Sequence, residues 1–158
     1  MATKKRATKK SAPAKDAIAL LKQDHETVRG LLERATKSSG ERRSQVLAKI
    51  EKEVKVHSQI EEEIFYPAYR DAVSKKDDRK VYFEAVEEHR VVDLVMPDVE
   101  NGTDDEVAAH VKVLKELIEH HADEEEKTMF PKARKVFDRD ELRTLGEALK
   151  ARKKALGG

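Results

Sequence analysis

Cysteine and tryptophan are both absent from the 158-residue chain. The first absence excludes disulfides, thiolate zinc sites and iron–sulfur clusters, although it does not by itself fix a compartment. Glycine (6) and proline (4) are scarce, and long runs rich in Ala, Glu, Lys, Leu and Val favour helices. No stretch reaches the roughly 18 consecutive apolar residues of a membrane span, and the N-terminus MATKKRATKKSAPAK lacks the apolar run of a secretion signal. The expectation is a cytoplasmic chain with no membrane partner. At this length one domain fits and a second full domain does not.

Acidic residues are missing from both ends. Residues 1–15 carry six Lys/Arg and residues 150–158 carry four, with no acid in either, while the 23 basic and 32 acidic residues between them give the body a net charge of −9. An acidic body therefore has two basic ends. Residues 1–15, low in hydrophobes, are expected to be a disordered basic tail.

What is present is a helical pattern interrupted by histidine. Ile18, Leu21, His25, Val28, Leu32 and Ala35 recur by threes and fours before KSSG breaks the pattern. A second stripe reads Val46, Ile50, Val54, His57, Glu61, Ile64 and Ala68, with Pro67 expected to kink or end the helix. The third carries Tyr82, Ala85, His89, Val92 and Met96, and the fourth, over about 104–136, Val107, Val111, Leu114, Ile118, His121 and Glu125. A short fifth helix is expected over about 138–156, with an Asp cap and basic residues in its last turn. The fold expected over residues 16–158 is all-α: an up-down-up-down four-helix bundle with this added C-terminal helix.

The interruptions share one register. His25 to His89, His57 to His121, Glu61 to Glu125 and Pro67 to Pro131 are each 64 residues apart, and H-x3-E-E-x4-P-x2-R occurs at 57–70 and again at 121–134. The chain reads as two helical hairpins of one design. The register selects His121 over His120, which is expected to face solvent or to support a ligand. His110, eleven residues before His121, is about 16 Å away along a helix and too far to join the same centre.

Residues four apart on a helix turn by about 40° and rise about 6 Å, so His57 with Glu61, and His121 with Glu125, point into one layer. An unpaired buried carboxylate costs several kcal/mol, and the stripes offer four imidazoles and two carboxylates but no Lys or Arg. Divalent cations resolve the imbalance, and a nitrogen and oxygen set without sulfur suits iron, manganese or zinc. Two equivalent halves suggest two metals. The bland alternative is a core of histidines and glutamates in mutual hydrogen bonds.

The pattern resembles the hemerythrin-like HHE cation-binding family, whose motif H…HxxxE…H…HxxxE is met by His25, His57, Glu61, His89, His121 and Glu125, with FYP and MFP ending the glutamate helices. The resemblance covers about residues 16–150. It implies two iron ions, oxygen-bridged and non-haem, with Glu61 and Glu125 bridging and the histidines terminal, and it implies O2, peroxide or nitric oxide as ligand in an oxidative or nitrosative stress response or in sensing. Oxygen carriers of the family have another histidine four residues after the third-helix one, where this chain has Asp93, and His-x4-Asp where it has His-x3-Glu. Redox turnover, as peroxide or O2 reduction, is thereby favoured over reversible O2 storage, and Asp93 is a candidate seventh ligand. A second reading is an iron store or sensor docked on nucleic acid through residues 1–15 by counterion release. A monomer or weak dimer is expected. Ferritin-like carboxylate proteins use Glu-x-x-His, the reverse order.

Overall fold

The computed structural model describes residues 15–158, and those residues are helical without a strand. The tail expected over 1–15 lies, apart from Lys15, outside the described residues. Helix α1 (Ala17–Thr36) starts where Asp16, in extended backbone, accepts the Ala19 N–H at 2.8 Å, satisfying a donor the first turn leaves free. Helix α2 runs as Gly40–Ile60, passes through a π-helical turn at Glu61–Phe65 and ends as Tyr66–Ala72. Helix α3 (Lys76–Val95) closes with a 3-10 turn at Met96–Asp98. Helix α4 repeats the build of α2: Asp104–Glu124, a π turn at Glu125–Met129, then Phe130–Val136. Helix α5 (Arg139–Ala155) completes the chain. Capping boxes start α4 (Thr103 with Glu106) and α5 (Asp138 with Glu141).

Of the two outcomes expected at Pro67, a kink or an end, the helix does not end there. Proline has no N–H and crowds the preceding turn, but here the ladder is already widened: the Tyr66 N–H donates to the Glu61 carbonyl, five residues back, and the Phe130 N–H to that of Glu125. Each wide turn also shifts the buried face by one position. After Glu61 the fully buried residues are Phe65, Tyr66 and Tyr69, whereas Ile64 and Ala68, which continue the α-helical stripe on paper, are half-buried.

The apolar core has two parts. One gathers Ile18, Leu21, Ile60, Phe65, Tyr69, Met129, Phe130, Leu142 and Leu149, and the other Val28, Leu32, Ile50, Val92, Val111 and Leu114. The stripe histidines fall between these parts on each of α1 to α4. Helix α5 packs on α1 and α2, and Gly146 permits the approach, since a Cβ there would lie 2.5 Å from the Lys15 carbonyl oxygen. Among the described residues no helix is long and apolar enough to cross a membrane.

Candidate metal centre

The four helices bring all six stripe residues to one layer. His25, His57, His89 and His121 are each at most 7% exposed, and Glu61 and Glu125 at most 1%. One donor atom from each of His25, His57, Glu61 and Glu125 lies within 4.8 Å of the others, and Glu61, His89 and His121 form a second such group. Glu61 belongs to both. Its Oε1 is 3.1 Å from His57 Nε2 and its Oε2 3.2 Å from His89 Nε2. Glu125 Oε2 similarly stands 3.1 Å from His25 Nε2 and 3.7 Å from His121 Nε2. Both carboxylates thus span the two halves.

Four side-chain atoms in this layer are buried without a well-formed hydrogen bond: His25 Nε2 faces Glu125 Oε2, and His57 Nε2 faces Glu61 Oε1, each pair 3.1 Å apart but out of hydrogen-bonding alignment. They belong to the four residues of the first group. Buried polar atoms are costly to leave unpaired, and a mixed imidazole and carboxylate set is what a divalent transition metal accepts. The residues present fit a metal ion.

Each imidazole directs Nε2 inward and Nδ1 toward an outer carboxylate. His25 Nδ1 donates to Glu126 at 2.8 Å, His57 to Asp24 at 3.2 Å, His89 to Glu62 at 2.8 Å and His121 to Glu88 at 2.7 Å. Such a bond fixes the tautomer and the ring plane and makes the inward nitrogen a better donor. Sequence reasoning missed these four residues, although the register that found the ligands contains them: Asp24 and Glu88, and Glu62 and Glu126, are also 64 apart.

The register breaks at Tyr66, whose mate is Phe130. The Tyr66 hydroxyl donates to Glu125 Oε1 at 2.6 Å and lies 3.3 Å from Glu61 Oε2 and 3.1 Å from His89 Nε2. Phe130 stacks on His25 with ring centroids 5.9 Å apart. Tyr66 was hidden because the α-helical stripe leads to Ile64, and only the π turn carries position 66 inward. Asp93, the candidate seventh ligand, is exposed and stands outside both groups. His120 is exposed, its Nε2 3.3 Å from Glu88 Oε1, and His110 donates to the Val99 carbonyl at 3.3 Å, far from the centre.

Charge in the layer is balanced by protons when no metal is bound. Burial opposes a cation at His57, but the facing Glu61 carboxylate, the bond to Asp24 and the Glu125 charge outweigh it and raise its pKa to about 10. At His89 burial is likewise overcome, by Glu61 and Glu62, and the value rises to about 9. Burial pushes Glu61 upward, yet His57 and His89 hold it well below the usual carboxylate range. Burial and the Glu125 and Glu61 charges keep the Tyr66 phenol protonated far above its ordinary range.

A cavity of about 30 Å³ adjoins the four histidines, walled also by Val28, Val54, Val92, Ile118 and Ala122. It has room for a water or a diatomic molecule.

Neither the curated proteins nor the solved structures provide a match to this chain. The sequence profile of the hemerythrin HHE cation-binding domain matches residues 16–133, which include all six inward donors and all four outer carboxylates. The chain belongs to the hemerythrin HHE cation-binding family.

Proposed function

We propose that this chain is a non-haem diiron protein, built on an up-down-up-down four-helix bundle, that binds O2, peroxide or nitric oxide in an oxidative or nitrosative stress response or in sensing. The observation that supports it most is the convergence of four buried donor atoms that make no well-formed hydrogen bond with a second donor group that shares Glu61. Bound iron supplies redox chemistry and a Lewis-acidic position for a small oxidant or gas.

The chain's own residues select and orient that ligand. Four carboxylate–histidine bonds orient the imidazoles toward the centre. The valine and isoleucine walls make the 30 Å³ cavity beside the histidines largely apolar and leave room for only a few atoms. Tyr66 holds its proton against Glu125 and offers an O–H at the side of the layer nearest His89. Asp93 stands where oxygen carriers of the family place a further histidine, so one half is short of an imidazole, which favours turnover over storage.

Metal analysis of the purified full chain should find about two irons per chain, with near-ultraviolet oxo-iron absorption that is lost in His57→Ala and in Glu61→Ala. A chain fully occupied by zinc and inert toward O2, peroxide and nitric oxide overturns the proposal.

A further inference from the structure

The outer carboxylates obey the 64-residue register, but what holds them in turn does not. Asp24, which orients His57, is also paired through its other oxygen with Lys153 of α5. Glu126, which orients His25, accepts from Arg29 at 2.9 Å, and Arg29 is itself fixed by Asp123 at 2.9 Å. On the other half, Glu62 and Glu88 have no Lys or Arg partner among the described residues. Glu62 is 46% exposed and pairs with His89, and Glu88 pairs with His120 and His121.

We propose that the two halves hold metal unequally, with Lys153 and Arg29 as positioning residues that make the His25/His57 half the tight site and leave the His89/His121 half the exchangeable one. The inference rests on the metal-binding reading above. Three independent features support the direction. The His25/His57 group gathers four donors within reach of one point, and the His89/His121 group three. A carboxylate locked by a cation loses few conformations when its histidine binds, whereas Glu62, 46% exposed, must be ordered at that moment. Finally, a groove of about 430 Å³ between α3 and α4, lined by Val81, Glu84, Glu88, Glu125 and Met129, runs along Glu88, the carboxylate that orients His121, giving a cation and its chelator an acidic approach on that side.

Lys153 lies beyond residues 16–133, the part matched by the family profile. On this proposal the unequal strength of the two halves rests partly on α5, outside the residues matched by the profile. Its neighbour Arg152 grips Glu63 through two hydrogen bonds, at 2.6 and 3.1 Å, and supplies a control: that pair docks the same helix without touching an outer carboxylate of the relay.

The test is iron release from the reduced, iron-loaded full chain to ferrozine, followed by absorbance. Two phases of equal amplitude are expected. Lys153→Met and Arg29→Met should each accelerate the slow phase about tenfold and leave the fast phase unchanged, Lys153→Arg should restore the slow phase, and Arg152→Met should alter neither. A single phase, equal acceleration of both phases, or an Arg152→Met effect as large as that of Lys153→Met overturns the assignment. Those outcomes leave the metal-binding reading intact, whereas a chain that takes up no iron defeats that reading itself.

Discussion

At the scale of single residues, the centre joins two kinds of side chain with different legibility. Histidine or glutamate on an apolar stripe is anomalous wherever it occurs, so the six inward donors stand out before any coordinates are known. Asp24, Glu62, Glu88 and Glu126 do not, because a carboxylate beside a stripe residue is ordinary on an acidic surface. Tyr66 is the residue with most to lose. Among the described residues its hydroxyl is the one donor to Glu125 Oε1, both groups are buried, and its register mate Phe130 shows that the repeat accepts a phenyl ring at this position. Tyr66→Phe should therefore fold and cost about 1–3 kcal/mol, the penalty for leaving a buried acceptor unpaired. Urea unfolding of the metal-free chain measures it, and an unchanged midpoint would show that the hydroxyl holds nothing.

At the scale of elements, the π turns and α5 do what an α-helical pattern does not announce. A wide turn at Glu61–Phe65 and another at Glu125–Met129 place a bridging-capable carboxylate at the first position of each, and such turns are frequent at functional sites. Prolines at 67 and 131 mark both places in the sequence, yet Pro67 reads there as a kink or a helix end and Pro131 as a residue inside the fourth helix. Helix α5 depends on glycine at one point only. Gly146→Ala would normally stabilise a helix, by up to about 1 kcal/mol, but its Cβ would press on the backbone of Lys15, Asp16 and Ala17, so a loss of about 1–3 kcal/mol is expected. Gly30→Ala, in α1 with nothing within 4 Å of the new Cβ, should instead gain about 1 kcal/mol. Opposite signs in thermal unfolding confirm the contrast; equal signs would refute the close approach.

At the scale of the whole molecule, protons and metal compete for one layer. His57, faced by Glu61, Asp24 and Glu125, is raised to about 10, and His89, faced by Glu61 and Glu62, to about 9. The ordinary value is about 6.5. Above that value the unfolded chain releases protons that the folded chain retains, so this stabilisation is fully present below pH about 6.5 and is lost as pH rises through 9 to 10. Denaturant midpoints of the metal-free chain should fall across that window. The loaded chain should lack the fall, since metal-bound imidazoles are already deprotonated, and should be the more stable of the two because metal binds the folded state. A metal-free chain whose stability rises from pH 7 to 9.5 would contradict the charge balance described for the layer.

Sequence alone determined the helical class, the boundaries of the fourth helix, the duplicated hairpin and the six inward donors, because each rests on a local period or on one repeated distance along the chain. Only the tertiary structure decided the rest. The π turns that bring Tyr66 inward are a change of a few hydrogen bonds by one residue, invisible to a period of 3.6. The outer carboxylates, the exposed position of Asp93, and the Lys153 and Arg29 pairs that separate one half from the other depend on which helix faces which. Lys153 meets Asp24 across 129 residues, a contact made by the packing of α5 on α1 and encoded in no local pattern.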